Sequence, residues 1–156
     1  MLTIGIDPGL SGAVGVLKDG NYYAVFDMPT VSKGSGSVKQ EVDAAGLASI
    51  LQQFDDARMC VIERVNAMPR QGSSSTFSLG DSFGCARAVV AALQISLSYV
   101  SPVAWKKHFK LGSDKEFSRA LGVRMYPTAP LNLKKYADRA EALLMARWLY
   151  ETQAKG

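Results

Sequence analysis

Residues 2–20 read "LTIGIDPGLSGAVGVLKDG", and this stretch decides the fold. Residues 2–7 have the apolar run of a buried strand, but the run ends on an acid, Asp7, followed at once by Pro8 and Gly9. Residues 12–18 and 21–27 supply two more strand patterns. "KDGN" joins them, and its Asp19-Gly20 is a strong hairpin signal. The chain therefore opens with an antiparallel hairpin beside a first, buried strand. A carboxylate at the end of a core strand is costly unless something pairs with it, so Asp7 has to face a partner.

Outward from this start, strands and helices alternate. "MPTVSKGSGSVKQ" (28–40) reads as a polar loop, and residues 42–54 carry apolar positions at helical spacing. "RMCVIE" (58–63) is a fourth strand, again ending on an acid, Glu63. A loop over 64–75 leads to a long helix over 76–95, with Ser74 or Ser75 as its N-cap. Residues 97–101 form a fifth strand, and Pro102 opens a short helix containing Trp105. "SDKE" (113–116) reads as a capping box for a helix to about 125. Pro127 and Pro130 break the chain, and a last helix starts near 136. The pattern predicts one α/β domain over residues 1–156, with a mixed five-stranded sheet and helices on both faces.

Composition narrows the class. No apolar run approaches the ~18–20 residues that span a bilayer, and the start lacks the basic and small-residue features of a signal peptide. Cys60 and Cys85 sit in apolar contexts without metal-ligand spacing and read as reduced core residues, which places the protein in the cytoplasm. The net charge is +4, and nine of the 18 basic residues fall between 105 and 139. That stretch, including Lys106, Lys107, Lys110, Lys115 and Arg119, is either a solvated face or a surface for a polyanion.

The acids carry the chemistry. If the strands ending at Asp7 and Glu63 are parallel neighbours, both carboxylates lie at one sheet edge. In "ADRAEALLMA" Asp138 and Glu141 are three apart and share the helix face that must pack on the sheet, so they point to the same edge. Singly, each acid has a plain structural reading as a turn residue or a favourable charge at a helix N-terminus. Together, four converging carboxylates repel one another and call for divalent cations. Oxygen-only ligands suit Mg²⁺, with Mn²⁺ as a substitute. Two such ions ~3.5–4 Å apart form the clamp used for phosphodiester displacement. Setting these four aside leaves ten acids against 18 basic residues, a basic surface around an acidic pocket, as a nuclease needs.

These residues carry a family resemblance. "IGIDPGLSGAVGV", "VIERV" and "DRAEALLMA" resemble the three acidic motifs of the RuvC family of Holliday junction resolvases, in the RNase H-like superfamily. "SSSTFSLGDSFGCARAVVAAL" and "VSPVAWKKHF" are similar to the helix and the basic segment that follow the second motif. The resemblance implies an RNase H-like fold and metal binding by Asp7, Glu63, Asp138 and Glu141. It also implies a homodimer acting on four-way DNA junctions. Glu141 stands where bacterial members usually carry aspartate. With the short length, this points to a phage-type or divergent member acting on branched DNA more broadly.

Other residues have two readings each. Met68 and Phe77, in or near the loop after Glu63, are either core or dimer contacts, or a wedge into an opened junction. His108, the single histidine, reads as a surface residue, and Trp105 and Trp148 as core. The small-residue face Gly80, Gly84 and Ala88 suits close approach of a second helix. Two rival functions compete. "GIDPGLSGAVGV" also resembles the first phosphate loop of sugar kinases and actin-like ATPases, although no second such loop appears. A DNA-binding domain without catalysis is the other. ATP turnover, metal-dependent cleavage and binding alone separate the three.

Overall fold

The computed structural model describes residues 1–36, 38–55 and 58–154. Its main sheet has five strands: β1 (Leu2–Asp7), β2 (Ala13–Lys18), β3 (Asn21–Asp27), β6 (Arg58–Glu63) and β7 (Ser96–Val100). They lie in the order β3-β2-β1-β6-β7. The β1–β2 and β2–β3 pairs are antiparallel; β1–β6 and β6–β7 are parallel. The expected mixed five-stranded sheet is thus present. Segment 28–40 departs from the expected loop. It carries the three-residue strand β4 (Thr30–Ser32) and leads into a second, β5 (Gln40–Val42), and the two pair as a separate antiparallel ribbon.

Strand alternation divides the sheet into two faces. Leu2, Ile4 and Ile6 of β1 join Val14 and Val16 of β2 on one face, against α1 (Ala44–Leu51) and α2 (Ser73–Ala92). The opposite face meets α5 (Ala137–Leu149), whose Leu144, Met145 and Leu149 pack on Val61 of β6 and on Trp105 of α3 (Pro102–His108). α4 (Lys115–Met125) lies beside α5, joined through the cluster of Tyr126, Leu131, Ala140 and Leu143. No described helix is long and apolar enough to cross a membrane.

Two glycines set how closely α5 lies on the sheet. Gly5 of β1 and Gly15 of β2 are register partners. A Cβ at Gly5 would come 2.2 Å from the Ala142 carbonyl oxygen, and one at Gly15 would come 2.7 Å from the Leu143 nitrogen. Only hydrogen at both positions lets the α5 backbone rest there, and glycine inside a strand commonly marks such an approach.

Helix starts differ in detail from the sequence pattern. α2 begins at Ser73 after Gly72, without a side-chain cap, so Ser74 and Ser75 lie inside its first turn. α4 is capped by Asp114, whose carboxylate accepts from the Glu116 N–H at 2.9 Å, so the cap is one residue later than Ser113. Glu116 instead turns its side chain to Arg119.

Candidate active site

Parallel register places Ile6 opposite Ile62, so Asp7 and Glu63 follow at the same sheet edge. Ala13, which starts β2, pairs with both Asp7 and Asp27, bringing the end of β3 to this edge as well. The first turn of α5 lies over it. Arg139 fixes that turn: its Nε and Nη2 donate to the two carboxylate oxygens of Asp27 at 2.7 and 2.9 Å, and its Nη1 donates to the Pro130 carbonyl at 3.1 Å. This forked pair holds the Asp27 carboxyl below the usual carboxylate range.

With α5 so placed, oxygen atoms of Asp7, Asp138 and Glu141 lie within 4.8 Å of one another. Glu63 sits beside this group but is turned toward α3: the Trp105 Nε1–H donates to its Oε2 at 2.7 Å. The Gly9 N–H donates to Asp7 Oδ1 at 3.2 Å, and the Ser118 hydroxyl donates to Glu141 Oε2 at 3.0 Å. Glu141 is only 5% exposed, which is unusual for a glutamate without a strong partner. Trp105 is core, as expected, and it also orients one of the acids.

The acids are not left to repel one another alone. The Lys115 ammonium donates to Asp138 Oδ1 and lies 3.9 Å from Glu141 Oε1, while the Lys106 ammonium lies 3.9 Å from Glu141 Oε2. The sequence-based picture of carboxylates without basic partners therefore changes. Burial, reinforced by the charge of Glu63 and opposed by the Gly9 hydrogen bond, pushes the Asp7 carboxyl up to about 7. Burial also raises Glu63, opposed by the Trp105 hydrogen bond. Burial alone would lower the Lys115 ammonium, but its hydrogen bond to Asp138 and the surrounding acids hold it above its ordinary value. The donor set is oxygen-only and a cation already rests on it, so the residues present fit a hard divalent ion.

The remaining predicted site residues lie on α2, α3, α4 and the segments next to them. Lys107 and Lys110 are exposed on α3 and just after it. Arg119 is bound within its own helix to Glu116 and reaches the Leu131 carbonyl at 2.9 Å, tying α4 to the segment before α5. Met68 and Phe77 are 64% and 71% exposed, so neither is a core residue of this chain. A Cβ at Gly80 or Gly84 would meet nothing within 4 Å, leaving that face of α2 open. His108 is exposed as expected and pairs with Glu151 at 2.7 Å. Cys60 and Cys85 are free thiols.

Sequence reasoning passed over Trp105, Ser118 and Lys106 as partners of the acids. It also passed over Gly5 and Gly15, although two glycines inside adjacent predicted strands were a readable signal of close backbone approach.

No protein-family model matches the chain, and no curated protein matches it either. Solved structures do. Thermus thermophilus RuvC in complex with Holliday junction substrate superposes with a TM-score of 0.65 at 18% identity, over 98% of this chain and 97% of that one. A second Thermus thermophilus RuvC structure gives 0.60 at 16%, over 99% and 97%. The chain has the RuvC fold. Within that RuvC fold, β1 and β6 deliver Asp7 and Glu63 to one edge, and the Gly5–Gly15 seat lets α5 bring Asp138 and Glu141 over it.

Proposed function

We propose that this protein is a metal-dependent endodeoxyribonuclease that cleaves four-way junctions, with other branched DNA as further substrates. The observation that carries the reading is the convergence of Asp7, Asp138 and Glu141 oxygens within 4.8 Å on a RuvC-type sheet edge. Asp7, Asp138 and Glu141 would hold Mg²⁺ or Mn²⁺, and Glu63 would complete the acid set for a second ion. A divalent cation bound there polarises a phosphoryl oxygen and neutralises the charge that develops on it.

The protein's own groups set the stage for that chemistry. The Trp105 indole fixes the direction of the Glu63 carboxylate, and the Ser118 hydroxyl fixes that of Glu141. Holding a ligand in one orientation limits the side-chain freedom it loses on loading. Lys106 and Lys115 stand at the acids, and Lys107, Lys110 and Arg119 belong to the same stretch of α3, α4 and the segment between them. There they would bind backbone phosphates without reading bases. Met68 and Phe77, both exposed near the β6–α2 loop, would wedge into an opened junction. A homodimer built on the open Gly80–Gly84 face of α2 would present two such sites to a symmetric substrate. The whole chain, 1–156, would act as one nuclease domain in the cytoplasm.

The test is a gel assay of four-way, Y-shaped and linear duplex DNA with Mg²⁺ and with EDTA. The expected result is symmetric cleavage of the four-way junction in Mg²⁺ alone. Asp7→Asn, Glu63→Gln and Asp138→Asn should abolish cleavage while junction binding persists. Near-normal cleavage by Asp7→Asn would overturn the assignment.

A further inference from the structure

The acid cluster is satisfied by a cation of the protein's own. Lys115 is the first residue of α4, placed there by the Asp114 cap. From that position its side chain reaches across to α5, where the ammonium donates to Asp138 Oδ1 and lies 3.9 Å from Glu141 Oε1. These are two of the three residues whose oxygens converge. The Lys115 side chain is 56% exposed, so ion pairing holds it rather than packing, and it has open space to leave. Lys106 differs. Its ammonium stands 5.4 Å from the Trp105 ring centre and its side chain is 22% exposed, so it is held at the rim by the ring as well as by Glu141.

An ammonium hydrogen-bonded to Asp138 and a divalent ion on the same oxygens exclude each other, because both need the same lone pairs and their charges repel at such range. We propose that Lys115 is a displaceable plug: in the metal-free protein its ammonium stands in for a divalent cation between Asp138 and Glu141, and metal loading expels it. This inference rests on the metal-dependent function proposed above. It adds a role for Lys115 before substrate arrives. The plug keeps buried acids from repelling one another when metal is scarce. Once expelled, the same ammonium is free, at the mouth of the site, to meet a DNA phosphate. Phosphate binding then removes the competitor of the metal, so DNA and metal each strengthen the other's binding.

The experiment measures Mn²⁺ affinity of the DNA-free full-length protein by calorimetry, with melting temperature in EDTA and in Mn²⁺ as a second readout. Lys115→Met should bind Mn²⁺ about tenfold more tightly than wild type. It should melt lower in EDTA and gain more on Mn²⁺ addition. Lys115→Arg, which keeps the charge, should stay near wild type. Lys39→Met, at an exposed lysine just before β5, should do so too and controls for net charge. Equal affinity of wild type and Lys115→Met overturns the plug while leaving the nuclease reading intact, and weaker binding by Lys115→Met does the same. Failure of both proteins to bind Mn²⁺ overturns the plug and the metal-dependent function together.

Discussion

Replacing Gly5 by alanine tests whether the distance between α5 and the sheet builds the site. The new methyl carbon would stand 2.2 Å from the Ala142 carbonyl oxygen, 2.6 Å from the Ala146 nitrogen and 3.1 Å from the Met145 Cβ. Two of these partners are backbone atoms of a buried helix and cannot rotate away. Restoring contact distances of about 3.4 Å means moving α5 off β1 by roughly 1 Å. Overpacking of this kind costs about 1–3 kcal/mol, and each kcal/mol lowers Tm by about 2–4 °C at this chain length. Helix α5 carries Asp138 and Glu141, whereas Asp7 stays on β1. The shift therefore also opens the acid cluster, and a misplacement of ~1 Å at a reacting centre lowers rate about 100-fold. The assay pairs thermal melting with Mn²⁺-supported junction cleavage well below the melting range. Gly5→Ala is expected to melt several degrees lower and to lose about two orders of magnitude in cleavage. Wild-type melting together with wild-type cleavage would show that α5 is not seated by this contact.

Four further outcomes are expected. Trp105→Phe removes the donor to Glu63, a bond to a charged acceptor worth about 1.5–3 kcal/mol; it should raise the Glu63 carboxyl further and move the acidic limb of the cleavage pH profile upward, and an unmoved limb would count against the orienting role. In EDTA, stability should fall as pH rises from about 5 to about 7.5. The folded protein holds the Asp7 proton from its ordinary 3.8 up to about 7 while the unfolded chain releases it, and Glu63 shifts the same way; urea midpoints that rise over this range would contradict the burial argument, and saturating Mg²⁺ should flatten the slope. Lys107→Ala and Lys110→Ala should weaken binding to all branched DNAs alike, each flattening the slope of log K against log salt by roughly one unit. An unchanged salt slope would remove these lysines from the DNA path. Gly84→Leu fills the open face of α2 and should convert a dimer to monomer by light scattering while helical content is kept; a dimer of unchanged mass would place the interface elsewhere.

Local patterns alone fixed a good part of this protein. The period-2 runs, the Asp19-Gly20 turn and the parallel-sheet spacing between 58–63 and 97–101 are properties of neighbouring residues, so the five main strands and the helices between them were legible. The two strand-end acids and the Asp138–Glu141 pair were legible for the same reason, since a strand end and an i, i+3 face are read directly off the chain. Three-residue strands like β4 and β5 carry too little periodicity to separate from a polar loop, and an aspartate next to a serine capped α4 where the box pattern favoured the serine. The tertiary structure decided what lies against what. Trp105 meets Glu63 across 42 residues of chain, and Lys115 meets Asp138 across 23. Such pairs depend on how α3, α4 and α5 stack on the sheet, which no short window contains. That stacking depends in turn on Gly5 and Gly15 meeting across β1 and β2, where the absence of two side chains lets a helix backbone come close enough to bring its acids to Asp7.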